Sequence, residues 1–463
     1  MFETKEKEVN KKIVLSVIMI TSFFNPFMGA AVNMALPQIG EEFRMNAVEL
    51  SWVSMAFLLS SAIFLVPVGK IADIIGRKKI FLIGTIIYSI SSLLCVFSFS
   101  TLSLIFFRLI QGIGSSMVFS TGMAILISSY PPNQRGKVIG LTVSSVYIGL
   151  TAAPVLGGIL TQTIGWRSLF YINAGAGIFT ILATIFKIKA EWIEAKNEPF
   201  DYKGSLIYVI AMSAMMYGFS QLPKNFAIVL VVIGISGFIY FLFVESKVEF
   251  PVLNIKLFRY NRIFAFSNLA ALINYAATFG ITFLLSLYFQ YAKGMKPAQA
   301  GAVLFIQPMV MAVIAFLAGK FSDKYDSRIL SSAGMLIIVV GLIFLIFLNI
   351  ETSNTYIIFS LIILGFGFGL FSAPNTNSVM CSVEKQHLGT ASATIGTMRL
   401  TGQMLSMAIA AMVIHVFVGD KAISKSNINP FITSIKIVFI IFTVLCILGV
   451  FASLARGKEI KKI

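Results

Sequence analysis

Long apolar runs separated by short polar joints fill the chain. The runs cover 12–39, 48–73, 79–98, 101–128, 136–162, 167–187, 203–221, 226–245, 261–290, 298–320, 328–348, 354–380, 387–417 and 431–455. A helix needs about twenty mostly apolar residues to cross the hydrocarbon of a bilayer. The pattern therefore predicts an all-α polytopic membrane protein with fourteen transmembrane helices. An even count puts both termini on one side. The first run is long, lacks an A-x-A cleavage pattern and leads straight into further helices, so a membrane helix is expected there rather than a cleaved signal peptide.

Composition agrees with this pattern. The chain of 463 residues is 57% hydrophobic and only 12% charged, against about 25% charged in soluble domains. The net charge of +17 would suggest nucleic acid in a soluble protein. Here the cations crowd into alternate joints, which is a topology signal and leaves nucleic acid out. The side holding both termini carries 26 Lys and Arg; the other carries seven, and Arg108, Arg399 and Lys436 fall inside helices. The termini are therefore expected in the cytoplasm and the protein in the cell membrane. Cys95, Cys381 and Cys446 lie in apolar runs without ligand spacing, so helix packing is expected of them and no metal.

One joint is unusual. "GKIADIIGRKK" (Gly69–Lys79) places Asp73 among four cations, and "GKFSDKYDSR" (Gly319–Arg328) repeats its Gly, Lys and Asp at the same offsets, 250 residues later. Each copy follows the second helix of a six-helix set. Two parallel six-helix halves are a transporter architecture, with substrate bound between them near the midplane. The expected organisation is a first bundle over 1–190, a two-helix insert with linkers over 191–258, and a second bundle over 259–463.

Within that frame each motif has a physical reading. Gly76 permits a tight turn. Asp73 can pair with Arg77 or with a helix N-terminus, holding one conformation and releasing another. Gly69, Asp73, Gly76, Arg77, Lys78 and Asp323 are thus gate candidates. Arg108 lies about 10 Å into the fourth helix at 1.5 Å per residue, and Gln111 shares its face. A cation there needs a cavity or a partner. Asn33, Arg108, Gln111, Tyr147, Gln290, Asn375 and Arg399 are the expected cavity and coupling residues. In the fifth helix Pro154 removes a backbone donor, and Gly149, Gly157 and Gly158 allow close helix approach. These four are expected to form a hinge-like contact between bundles.

The same stretches resemble a known family. "GKIADIIGRKK" is similar to the loop 2–3 signature of the major facilitator superfamily, and "RLIQGIGSSM" to its helix-4 signature. "GLTVSSVYIGLTAAPVLGG" resembles the helix-5 signature of drug exporters, with Ala153 where the family has Gly. "NMALPQI", "GWRSLFYIN" and "SLYFQYAKGMKPAQAG" resemble the fourteen-helix drug:proton antiporter branch. The resemblance implies the major-facilitator fold, multidrug efflux by proton-coupled antiport, and a role for Arg108 in proton coupling. Small amphiphilic molecules, protons and the lipid bilayer are the implied partners. A monomer is expected.

One departure matters. The branch often carries an Asp five residues before Asn33; here that position is Met28, and no carboxylate falls at the midplane of any run. A cavity with cations and no anion disfavours permanently cationic dyes, and any proton carrier must be peripheral, such as Asp73. The chain has no phosphate loop with G-K-[ST], no metal-ligand cluster and no nucleophile with a base, so neither an enzyme nor an ATP-driven pump is expected, and no cofactor. A narrow exporter of one metabolite or antibiotic, and a non-transporting sensor on the same frame, are the alternatives.

Overall fold

The computed structural model describes residues 10–222, 224–253, 255–322, 325–383, 388–419 and 421–457, and no β-strand occurs among them. The first half contains α1 (Lys11–Phe43), α2 (Ala47–Ile75), α3 (Arg77–Val96), α4 (Thr101–Ser129), α5 (Pro132–Thr163) and α6 (Arg167–Lys187). Next come α7 (Tyr202–Gln221), α8 (Asn225–Glu245) and a short helix, Ile255–Tyr260. The second half contains α9 (Arg262–Ala292) and α10, which runs in two segments, Pro297–Leu304 and Ile306–Ser322. It ends with α11 (Ser327–Ile346), α12 (Asn354–Cys381), α13 (Leu388–Val418) and α14 (Ile428–Ala455).

Thirteen of these are long and apolar enough to span a membrane. The remaining helix, α7, is 20 residues long and opens on the polar Tyr202-Lys203-Gly204-Ser205, which dilutes its apolar content. It pairs along its length with α8 and completes the expected fourteen. Helix starts follow local chemistry. At α2 the Asn46 side chain accepts the Glu49 N–H while Glu49 accepts the Asn46 N–H, a reciprocal cap. Large apolar side chains remain outward, including Phe99 (84% exposed), Phe186 (67%) and Phe316 (65%). Lipid is the medium in which such surfaces are stable, since water-soluble proteins rarely expose contiguous apolar patches of this extent.

The two halves repeat each other contact by contact. In the first, α1 packs on α4, α5 and α6, α4 on α2 and α3, and α3 on α6. Adding eight to each number gives the pairings of the second half: α9 with α12, α13 and α14, α12 with α10 and α11, and α11 with α14. The likeness reaches single residues. Gly84 of α3 meets Gly114 of α4, and Gly334, 250 positions later, meets Gly367 of α12. A methyl group at Gly114 would stand 2.7 Å from the Gly84 carbonyl oxygen, and one at Gly334 2.7 Å from that of Gly367. Such crossings require small residues.

Between the halves α2 packs on α13, and α5 on α10, two seams that the repeat makes equivalent. The insert breaks the equivalence, because α7 also packs on both α2 and α13. There the buried Tyr208 hydroxyl donates to the Ala62 carbonyl at 3.4 Å, and Tyr217 lies against Trp52 at 5.7 Å between ring centroids.

Candidate functional site

The α2–α3 joint is held by the linker that follows α6, at the start of the expected insert. Asp73 accepts the Arg77 Nε–H at 2.7 Å, and Arg77, almost fully buried, reaches Glu194 Oε1 at 2.5 Å and Ser128 Oγ at 3.0 Å. Lys70 pairs with Glu198 at 2.6 Å. Glu191 accepts the backbone N–H groups of Lys78 and Lys79 at 2.8 and 3.2 Å, so an anion caps the positive end of α3. Main-chain bonds complete the strap: the Asp73 carbonyl accepts from Glu194 and Ala195, and the Arg77 N–H donates to the Trp192 carbonyl. Of the two partners expected for Asp73, Arg77 is the one found; the α3 N-terminus is taken by Glu191.

Gly76 joins the helices at φ +121°, a conformation that L side chains rarely adopt, and a methyl group there would lie 2.7 Å from the Glu191 carboxyl carbon. Gly69 faces Ser120 of α4 at ordinary contact distance. Asp323 lies outside the described residues. The signal for the strap was present in "EWIEAKNE", whose acids are spaced three and four residues apart. The local sequence did not reveal which cations they would meet.

Arg108 and Gln111 are both buried, and their bonds lie within the first half. Arg108 donates from Nε to the Val53 carbonyl at 3.0 Å and from Nη1 to Gln111 Oε1 at 2.5 Å, and lies 4.5 Å from the centre of the Phe57 ring. Gln111 and Asn173 both donate to Ser92 Oγ, at 2.6 and 2.8 Å. The arrangement knits α2, α3, α4 and α6 together. The physical reason is the penalty of a bare guanidinium in hydrocarbon, which backbone and amide oxygens offset. Asn375 likewise serves its own half, donating to the Ser267 carbonyl at 3.1 Å. Met28, where the branch often has Asp, is wholly buried in the apolar core.

The remaining candidates meet at the seams. At the face away from the α2–α3 joint, Ser286 donates to the Asn33 carbonyl at 2.6 Å, and Gln290 donates to the Met34 carbonyl at 3.3 Å and to Ser286 Oγ at 3.0 Å. The Asn33 side chain accepts from Ser54 at 3.0 Å. Helix α5 presents two smooth faces. Gly149 and Gly157 receive Phe23 and Ala31 of α1, whereas a methyl at Gly158 would stand 2.5 Å from the Pro297 carbonyl oxygen, and Gly301 of α10 packs on the Pro154 carbonyl. Helix α5 stays continuous through Pro154.

Nearer mid-depth, Tyr147 and Ser372 share a 2.5 Å hydrogen bond across the halves. Arg399 of α13 lies 4.9 Å from the centre of the Phe119 ring of α4, and its charge also bears on Tyr147 and Tyr275. Its Nε is buried without a hydrogen-bond partner, and no ion pair involves it among the described residues. Phe119, Tyr275 and Ser372 were not singled out in the sequence, because nothing local marks an aromatic residue as facing the other half.

Two repeated halves, two equivalent seams and small-residue contacts between them define the frame, and comparison with known proteins names it. The profile of the Major Facilitator Superfamily matches residues 18–407 and, in a second alignment, 268–461. The chain belongs to this superfamily. It is 30% identical to the riboflavin transporter RibZ of Clostridioides difficile, over 84% of this chain and 85% of that protein. It is 25% identical to the multidrug transporter protein MdtP of Bacillus subtilis, over 93% of this chain and 80% of that one. Among solved structures, a bacterial homologue of the human lysosomal transporter Spinster, in an inward-facing and unoccupied conformation, superposes with a TM-score of 0.70 at 17% identity, covering 96% and 97% of the two chains. That likeness supports the fold. The protein is a membrane transporter of small molecules rather than an enzyme.

Proposed function

We propose that this transporter exports small amphiphilic molecules across the cell membrane by alternating access, in exchange for protons. Both termini lie in the cytoplasm, and the protein works as a monomer whose halves rock. The observation that carries the reading is the set of polar and glycine contacts that join the halves at one face. Asn33 with Ser286, Gln290 with Met34, and the α5–α10 glycine contacts join the halves at the face away from the α2–α3 joint. Closure there suits a state that admits substrate from the cytoplasm. Asp73, Arg77, Lys78, Gly69, Gly76 and Asp323 serve as the gate at the opposite face, and Pro154 and Gly158 as the surface on which the halves pivot, while Gly149 and Gly157 hold α5 to α1 of its own half.

The chemistry at mid-depth supports a substrate class. No described carboxylate pairs with Arg399, and Phe119, Tyr147 and Tyr275 surround it with aromatic surface. Such a place favours neutral, zwitterionic or anionic amphiphiles with flat rings over permanently cationic dyes. The RibZ likeness favours a second, narrower reading, in which the flat solute is riboflavin.

Flux into proteoliposomes, with and without an imposed pH gradient, tests both readings. A neutral drug, riboflavin and ethidium are compared. Gradient-driven movement of the drug supports the first reading, and movement of riboflavin alone supports the second. Efficient ethidium transport would overturn the argument from charge.

A further inference from the structure

Glu245 is the one fully buried acid among the described residues, at 2% exposure, and the seams and the gate do not use it. It is the last residue of α8. Its Oε1 accepts the Leu253 N–H at 2.6 Å, while Oε2 is buried without a partner. Asp201 stands opposite, as the N-cap of α7. Its Oδ1 accepts the Gly204 N–H at 2.8 Å, and its Oδ2 is likewise buried without a partner.

The two orphan oxygens converge over Gly204. A methyl group built there would lie 2.6 Å from Glu245 Oε2 and against Asp201 Oδ2. Among the described residues no ion pair joins a cation to either carboxylate. Lys203 and Lys247 are exposed, Lys247 lies over the Phe243 ring, and Lys70 is engaged by Glu198. Exposed Glu249 adds further negative charge nearby.

Two carboxylates in contact cannot both stay ionised. The helix ends decide which one holds the proton. Asp201 sits at the positive end of α7, where an anion is favoured, and Glu245 at the negative end of α8, where it is not. We propose that Asp201 and Glu245 form a proton-binding site, with the proton on Glu245 donated to Asp201 Oδ2. The proton comes from bulk water and returns there. Asp201 lies three residues after Glu198, which anchors the strap on Lys70. Losing the proton would set two anions against each other, part the ends of α7 and α8, and slacken the strap on the gate.

Infrared titration of the purified full-length protein in lipid tests this site without measuring transport, so its outcome is separate from that of the proposed function. The wild type should show the carbonyl band of one buried carboxylic acid at neutral pH, lost on alkalinisation. E245Q should lack the band at every pH. D201N, which removes the like charge, should move its midpoint down by about one unit, a tenfold loss of proton affinity. Absence of the band in the wild type, or its persistence in E245Q, would overturn the proposal. A wild-type midpoint that moves with tenfold more sodium or potassium would also overturn it, assigning the site to a metal cation. The wild-type titration decides the matter even if neither variant folds.

Discussion

Arg77 and Glu194 stand 2.5 Å apart, although 117 positions separate them, and their contact ties the linker after α6 to the joint between α2 and α3. The guanidinium is 8% exposed and also holds Asp73, whereas the Glu194 side chain is 60% exposed. The two ends of the bond are therefore unequal. Replacing Arg77 with Gln strands Asp73 and opens a hole, and is expected to cost about 2 kcal/mol of stability. Replacing Glu194 with Gln removes a solvent-screened partner, and should cost less than about 1 kcal/mol. Thermal unfolding of the purified protein in detergent checks the order; equal losses would mean that the exposed Glu194 contact carries as much as the buried Asp73–Arg77 pair.

The contact of α5 with α10 predicts a conformational defect. A side chain at Gly301 must displace the Pro154 backbone, and one at Gly158 the Pro297 carbonyl. Valine at either position is expected to prevent closure of that face while leaving each half folded. Transport should fall at least tenfold, and a cysteine placed at Gln162, whose side chain accepts the Ala298 N–H at 3.4 Å, should become more reactive to a membrane-impermeant thiol reagent. Unchanged reactivity would show that the seam tolerates the added bulk.

These contacts also show where the sequence was informative. Hydrophobic run length depends on bilayer thickness, so the helices could be read directly. The 250-residue shift that aligns Gly69 with Gly319 also aligns Gly84 with Gly334, so the repeat could be read as well. The facing of side chains could not. The depth of Arg108 in α4 can be counted from the sequence, but the direction of its side chain depends on which neighbour offers a carbonyl, here Val53. The contacts of the acids at 191, 194 and 198 could not be read locally, because their partners, the backbone N–H groups at the start of α3, Arg77 and Lys70, lie 112 to 128 positions away.

The Tyr147–Ser372 bond is a neutral hydrogen bond between halves, and it exists only where they meet. Tyr147→Phe should weaken this closed arrangement by about 1 kcal/mol, roughly a fivefold shift between the two states. Half-saturating substrate concentration and maximal rate should change together. A Tyr147→Phe protein with unaltered kinetics would place the bond outside the transport cycle.

Arg399 sets the charge preference. Arg399→Gln keeps a hydrogen-bonding head but removes the positive field around Phe119, Tyr147 and Tyr275. Competition between an anionic and a cationic substrate of similar shape should move toward the cation by about tenfold, the effect of roughly 1.4 kcal/mol. If the ratio stays fixed, the substrate does not sense this guanidinium.

Arg108 offers the sharpest separation of structural from coupling roles. Its Nε and Nη1 bond two different acceptors, the Val53 carbonyl and Gln111, and its face lies over Phe57. Lysine preserves the charge but has neither the fork nor the planar face. Arg108→Lys should therefore destabilise the first half by about 2–3 kcal/mol, as expected for lost hydrogen bonds to a buried charged group. If Arg108 only knits α2 to α4, the flux remaining per folded molecule should keep its full dependence on the pH gradient. If it couples protons as the family resemblance implies, that dependence should flatten while substrate binding persists. Flux normalised to folded protein, measured across a series of imposed gradients, distinguishes the two, and the bonds of Arg108 to Val53 and Gln111 of its own half favour the first outcome.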